Sequence, residues 1–145
     1  MNTFRISLAV AVMLWAAIPA AARAALDRAR FESALVTARD YAADRSLMFY
    51  CLRASTERLP FVYAGLQADL ERTVQRMKAA GASPRQSAEV VQAVLSNVRF
   101  YGPQTKEASL DRRCITKDVE RSSIDGKGVG LPLDQRPPFR LLADK

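Results

Sequence analysis

The stretch Leu47-Met48-Phe49-Tyr50-Cys51-Leu52 consists of six apolar or aromatic residues and contains one of the two cysteines of the chain. Its apolar side chains would surround a helix on every side, which is typical of a helical segment enclosed by other elements. We therefore expect this stretch to form the centre of the hydrophobic core. The rest of the fold is expected to pack around it.

The N-terminal residues have the pattern of a secretory signal peptide. Arg5 lies in a short basic region, residues 6–18 form an apolar run, and Pro19 precedes several small residues. Cleavage is predicted after Ala22-Arg23-Ala24, with the Ala20-Ala21-Ala22 triplet as the alternative. The apolar run is shorter than the about 20 residues that cross a bilayer, so no stable membrane anchor is expected after cleavage.

Three regions follow from this pattern: a signal peptide over 1–24, a helical domain over 25–122 and a tail over 123–145. The whole chain has a formal charge of +7, and loss of two arginines with the signal peptide lowers it to +5. Basic and acidic residues alternate along the chain rather than forming a cluster of one sign. The sequence therefore does not indicate a nucleic-acid surface.

The two cysteines are predicted to form a disulfide, because thiols pair and stay paired in the oxidising space outside the cytoplasm. Only one pairing exists, between Cys51 and Cys114. The bond would bring the two Cα atoms within about 7 Å of each other. A helix carrying Cys114 must then cross the apolar end of the helix carrying Cys51.

Apolar spacings of three and four predict an all-α fold, a small bundle of about four helices with short connections. Helix one is expected from Ala25 to about Ala54, with a plausible interruption near Asp44-Arg45-Ser46. Helix two is expected to begin around Pro60 and to end at Gly81, which enters the left-handed region without a steric clash. Its predicted inward stripe is Leu59, Val62, Leu66, Leu70, Val74 and Met77, with Asp69 among the polar residues of the other faces.

Helix three has the clearest start signal. Ser83 is a suitable N-cap, Pro84 suits the first helical position, and Gln86 can complete a capping box. We expect this helix to run to Gly102-Pro103, and a fourth helix to cover about 107–122. The predicted inward residues of helix three are Ala88, Val91, Leu95 and Val98, and those of helix four are Leu110, Cys114, Ile115 and Val119.

The composition changes over residues 123–145, where glycine and proline are frequent. Neither a helix nor a central strand tolerates that mixture, so an extended or disordered tail is predicted. Its apolar part, Phe139-Arg140-Leu141-Leu142, either folds back over the bundle or docks on a partner, and disorder is the third alternative.

The absence of histidine removes the usual general base and the commonest metal ligand. No catalytic residues, no metal and no cofactor are predicted, and the chain is not expected to be an enzyme. The one acid–base route left is a pair of carboxylates, either Asp40 with Asp44 or Asp111 with Asp118, and a hydrolase built on such a pair is a minor alternative.

Aromatic residues occur as neighbours along the helices, so both members of a pair cannot face the same direction. Core or junction packing is the default expectation for them, and a partner-binding patch is the alternative. The residues that we select as possible partner contacts are Phe61, Tyr63, Phe139, Arg140, Leu141 and Leu142.

The sequence thus favours an exported, periplasmic or secreted protein that acts by binding another envelope protein. In its export signal, size, helices and paired cysteines the chain resembles periplasmic acid-stress chaperones and the small helical immunity proteins that neutralise cell-wall-degrading toxins, although no residue motif is shared. A chaperone-like or inhibitor-type module is therefore expected. The alternative is an assembly factor of an envelope complex that docks through its C-terminal tail.

Overall fold

A computed structural model describes residues 25–119 and 128–143. Within these ranges the chain is helical and contains no β-strand, which confirms the all-α prediction. The four α-helices are α1 (Arg28–Cys51), α2 (Leu59–Ala79), α3 (Pro84–Leu95) and α4 (Ala108–Thr116). Three short 3₁₀ helices follow, over Gly128–Gly130, Leu133–Gln135 and Phe139–Ala143.

Helix α1 is the central element, because it packs against the other three α-helices and against the first two 3₁₀ helices. The stretch from Leu47 to Leu52 lies in the core as predicted, with Cys51 half-buried and the other five side chains buried. The predicted interruption near Asp44-Arg45-Ser46 is wrong, since α1 is continuous there. The Ser46 hydroxyl donates to the Ala42 carbonyl at 2.7 Å, so this polar side chain is satisfied inside the helix.

The predicted disulfide between Cys51 and Cys114 is confirmed, and its Cα atoms lie 5.7 Å apart. It joins the last residue of α1 to α4. A second connection lies one residue away, where the Tyr50 hydroxyl accepts the N–H of Glu107 at 2.7 Å and donates to the Asp111 carboxylate at 2.8 Å. Helix α4, which has no buried residue of its own, is therefore held by a covalent bond and a buried phenol.

The start of α3 is as predicted. The Ser83 hydroxyl accepts the N–H of Gln86 at 3.1 Å, and the Gln86 side chain accepts the N–H of Ser83 at 3.0 Å. The same Gln86 amide also pairs with both backbone groups of Leu26, at 3.2 and 3.0 Å. The capping box thus also fixes the chain just before α1. Gly81 has the predicted left-handed backbone, with φ of 89°.

The inward face of α3 differs from the prediction by one residue. Because α3 contains adjacent apolar residues, such as Val90 and Val91, two neighbouring apolar stripes run along it. The stripe that contains Val90 packs on α1 and α2, whereas the prediction chose the stripe that contains Val91. Leu95, predicted to face inward, is about half exposed. The buried residues of α3 are Ser87, Val90 and Val94. Val98, which follows the helix, is buried as predicted.

Helices α3 and α4 are both shorter than predicted. The side chains of Ser96 and Asn97 bond to carbonyls of the last turn of α3, at 2.6 and 2.7 Å, and such bonds compete with helix continuation. After α4, Asp118 adopts a left-handed backbone with φ of 45°. Ile115 was predicted to face inward but is 82% exposed, because the neighbouring Cys114 is fixed toward α1 and adjacent helical residues lie about 100° apart.

The C-terminal segment over 128–143 folds back over the bundle, which is one of the three alternatives left open by the sequence. Its second and third 3₁₀ helices pack on α2, and its first lies on α1. Four of its apolar side chains belong to the hydrophobic core: Val129, Leu133, Phe139 and Leu142.

Replacing both cysteines with serine should lower the free energy of unfolding by about 4 kcal/mol, because the 63-residue separation makes the loop long. Loss of amide protection should be larger in α4 than in α2 or α3. Denaturant unfolding and hydrogen exchange measure the two effects. An equal loss of protection across all four helices would contradict the expected local role of the bond.

Replacing Phe139 with alanine should destabilise the protein by about 3–5 kcal/mol, since this fully buried ring leaves a cavity. The matched control is Leu141→Ala in the same 3₁₀ helix, where the side chain is 56% exposed and the change should stay within about 0.5 kcal/mol. Urea unfolding followed by circular dichroism distinguishes the two. Equal effects would mean that the C-terminal segment does not belong to the core.

Candidate functional site

The residues selected from the sequence as partner contacts fall into two groups. Phe61 is 78% exposed and Tyr63 is 46% exposed, and Arg140 and Leu141 are also on the surface. Phe139 and Leu142 are buried and therefore do not form a surface for a partner. Their apolar character, which suggested docking, is used instead for packing on the bundle.

An exposed aromatic platform is formed by Phe49, Tyr63 and Phe100. The rings of Tyr63 and Phe100 are stacked, with centroids 5.4 Å apart and an interplanar angle of 15°. Both rest on the buried ring of Phe49, at 4.6 and 4.7 Å. Phe100 is 53% exposed. The result is a stacked pair of partly exposed rings supported by a buried ring, and aromatic anchors are enriched in binding hot spots.

The sequence analysis missed a buried polar network between α1, α2 and the C-terminal segment. Its central members are Arg45, Asp69 and Asp134, whose side chains are 7%, 6% and 5% exposed. Charged residues are rarely buried unless they are paired. These three residues therefore need partners, and the structure supplies them from distant parts of the chain.

Arg45 is held by backbone as well as by charge. Its Nη2 donates to the carbonyls of Gly130 and Leu131, both at 3.0 Å, and lies 3.8 Å from the Asp69 carboxylate. Its Nη1 contacts the thioether sulfur of Met48 at 2.9 Å, and sulfur is a weak acceptor. The Nε–H of Arg45 is buried and has no partner among the described residues. An unsatisfied buried donor costs about 1–3 kcal/mol.

Asp69 connects the network to α1. One of its oxygens accepts the Tyr41 hydroxyl at 2.5 Å, and the other accepts a guanidinium N–H of Arg72. Burial raises the pKa of the Tyr41 phenol, Arg45 opposes the shift, and the nearby Asp69 charge adds to it. The phenol therefore stays protonated and acts as a donor to Asp69.

Three further ion pairs among the described residues attach the C-terminal segment. Asp134 lies 3.3 Å from Nε of Arg72 and 3.5 Å from Nε of Arg76. Arg136 pairs with Asp44 at 2.7 Å. The segment is thus fixed by charges on both sides in addition to its buried apolar residues.

The sequence prediction placed Asp69 on an outer face of α2, and this is wrong. The buried face of α2 consists of Val62, Leu66, Asp69, Thr73 and Met77, whose spacings of four and three are helical. Leu70 and Val74, which were assigned to the stripe because they are apolar, are half-buried at its side. The spacing of Asp69 and Thr73 fits this buried face and could have indicated their burial. A search for apolar residues alone overlooks both, because their side chains are polar.

A cleft of about 330 Å³ opens beside this network, between α1, α2 and the C-terminal segment. Arg45, Asp69 and Gly130 line it together with apolar side chains. Arg58 and Phe61 also line it, and both are exposed. A second, more apolar groove lies between α2 and α3 and is lined in part by Val74, Ala88 and Val91.

One member of each predicted carboxylate pair is used in another contact. Asp44 pairs with Arg136, and Asp111 accepts the Tyr50 hydroxyl, while Asp40 and Asp118 are exposed. Among residues 25–119 and 128–143, no three histidine, cysteine or carboxylate side chains are grouped to hold a metal ion. The helices of these ranges are too short or too polar to cross a membrane.

Comparisons with known proteins give no identification: no family model, no curated protein and no solved structure matches the chain.

Asp69→Asn should destabilise the protein by about 3–5 kcal/mol, because it leaves the buried Arg45 charge without its nearest carboxylate. The matched control on the same helix is Glu71→Gln, an exposed position that should change stability by less than about 0.5 kcal/mol. Urea unfolding midpoints give the comparison. Equal stability of the two variants would show that the network adds nothing to the fold.

Proposed function

We propose that this protein is exported to the periplasm and acts there by binding another envelope protein, as a chaperone-like or inhibitor-type module. The observation that carries the proposal is the aromatic platform, in which two stacked rings stay in contact with solvent on a buried support. Folding alone does not require this exposure.

The platform has the energetic properties of a binding anchor. Tyr63 and Phe100 are fixed by contact with Phe49, so little side-chain freedom is left to lose when a partner covers them. Aromatic side chains also supply a large contact area, and tyrosine adds a hydroxyl for hydrogen bonding. A protein partner with an apolar or aromatic surface fits this chemistry.

Export is supported by two observations. The sequence has the signal-peptide pattern over 1–24, a segment outside the described residues. The Cys51–Cys114 disulfide is compatible with an oxidising compartment. Neither of the two cysteines is free.

The alternative, an assembly factor that docks through its C-terminal tail, has less support. Phe139 and Leu142 would have to leave the hydrophobic core before a partner reached them. Leu141 and Arg140 are exposed, but they are not stacked on a buried ring as Tyr63 and Phe100 are in the aromatic platform.

The test is affinity capture: the protein is purified from the periplasmic fraction and used to capture partners from envelope extracts. We expect capture of a specific partner by the unmodified protein and at least a tenfold loss with the double variant Tyr63→Ser, Phe100→Ser, which is the size of effect that hot-spot residues have. Mass spectrometry identifies the partner, and purified components then give the affinity.

The matched control replaces two exposed aliphatic residues elsewhere, Val36 and Ile115, with serine. Capture should be unchanged by this control, and thermal unfolding shows whether either variant is misfolded. Equal capture by the platform variant and the unmodified protein would contradict the role of the platform. Recovery of the unprocessed chain from the cytoplasm would contradict export.

A further inference from the structure

We propose that the protein partner contributes an amphipathic α-helix with an acidic first turn, and that this helix lies along the groove between α2 and α3 with its other end on the aromatic platform. The inference rests on the proposed function, because it names the element of the partner that binds. The groove has a volume of about 810 Å³ and a mainly apolar lining. Val74 and Val91 lie on its two walls, and both are half-buried.

The groove continues into the aromatic platform along α2. Tyr63, Leu70 and Val74 are separated by seven and four residues, so they share one side of this helix. The short connection over 80–83 makes α2 and α3 antiparallel neighbours. The stacking of Tyr63 on Phe100 places the start of α2 beside the chain that follows α3. The platform therefore lies at the end of the groove opposite the connection.

Helix α3 supplies the other half of the same surface. Ala88, Val91 and Leu95 are three and four residues apart and share one side of the helix. Ala88 and Val91 line the groove, and Leu95 is 49% exposed. The core uses the neighbouring stripe with Val90, so these three apolar side chains stay partly in contact with water. An apolar partner surface that covers them is therefore favourable.

The walls of the groove select a helix rather than an extended segment. They consist of side chains on two helices, whose backbone groups bond within each helix, and the described part of the chain offers no strand edge. An extended segment would bury its own N–H and C=O groups without partners, whereas a helix satisfies them internally. Tyr63 and Lys78 lie fifteen positions apart on α2. At about 1.5 Å per residue this is about 22 Å, which a partner helix of about 15 residues spans.

The charge in the groove sets the direction of the partner helix. Lys78 is the one charged residue of the described chain that lines the groove, at the end near the connection. No acidic residue within the described ranges pairs with it. A carboxylate of the partner supplies the opposite charge, and acidic residues are most favourable in the first turn of a helix. The partner helix is thus expected to begin beside Lys78 and to place an apolar or aromatic residue of its last turn on the platform.

The direct test uses a capped 15-residue peptide with glutamate in the first turn, leucine at every third or fourth position, phenylalanine in the last turn, and alanine and glutamine elsewhere. It is titrated into the purified protein and followed by NMR. We expect it to bind at least tenfold more tightly than a peptide of the same composition whose leucines are spread around the helix, with shifts in α2 and α3. Equal binding of the two peptides, or no binding at millimolar concentration, would overturn the proposal.

The site is tested with Ala88→Glu, which places a charge on the apolar wall at an exposed position. Binding of the amphipathic peptide should weaken at least tenfold. The matched control is Ala79→Glu, an exposed alanine of α2 outside the groove, which should leave binding unchanged. Melting temperatures show that both variants are folded. An equal effect of the two variants would contradict binding in the groove.

The direction of the helix is tested by exchanging charges. Lys78→Glu should weaken binding of the glutamate peptide about threefold, the size of effect that an exposed ion pair has. The same variant should bind a peptide with lysine in the first turn more tightly than the glutamate peptide. An unchanged preference for the glutamate peptide would contradict the acidic first turn.

Capture of the envelope partner separates this inference from the proposed function. Loss of capture by Ala88→Glu, in addition to the platform variant Tyr63→Ser, Phe100→Ser, supports both. Loss with the platform variant alone keeps the proposed function and overturns the helix in the groove. Loss with neither variant overturns both. Sedimentation of the purified protein gives a further check, because a dimer that Ala88→Glu dissociates would show that a second copy, and not a partner helix, covers the groove.

Discussion

Arg45 is a buried positive charge in the second half of α1, and much of the arrangement around it is needed to keep it there. An isolated charge in this position would be very costly, so the fold must provide a counter-charge and hydrogen-bond acceptors. Asp69 provides the first from α2, and the carbonyls of Gly130 and Leu131 provide the second from the C-terminal segment. One side chain thus sets the relative positions of three parts of the chain.

The bundle is held by different means on its two sides. On one side, the disulfide and the Tyr50 hydroxyl attach α4, which contributes little buried surface of its own. On the other side, apolar residues and ion pairs attach the C-terminal segment. The aromatic platform and the cleft are separate features of this bundle, because neither Tyr63 nor Phe100 lines the cleft.

Much of the fold could be predicted from local signals. The capping box at Ser83 and Gln86, the left-handed Gly81 and the apolar stretch from Leu47 to Leu52 depend on neighbouring residues, and the structure confirms them. The disulfide followed from there being a single possible pair.

What could not be predicted depends on contacts between distant residues. Val90 and Val91 are chemically identical, and only the position of α3 on its neighbours decides which one is buried. Asp69 lies on the buried face of α2 because Tyr41 and Arg45 of α1 face it there. For the site, Phe61 and Tyr63 lie on the surface, and their contact with a partner stays a prediction. The burial of Phe139 shows that an apolar residue gives the same sequence signal for docking and for the core.

The hydrogen bonds from Arg45 to Gly130 and Leu131 span 85 and 86 residues of sequence. Before the segment over 128–143 packs on the helices, this guanidinium therefore lacks its carbonyl acceptors. The face of α1 and α2 that Leu133 and Phe139 later cover is also still open to solvent at that point. The native core is therefore complete only after this C-terminal segment has packed on the helices.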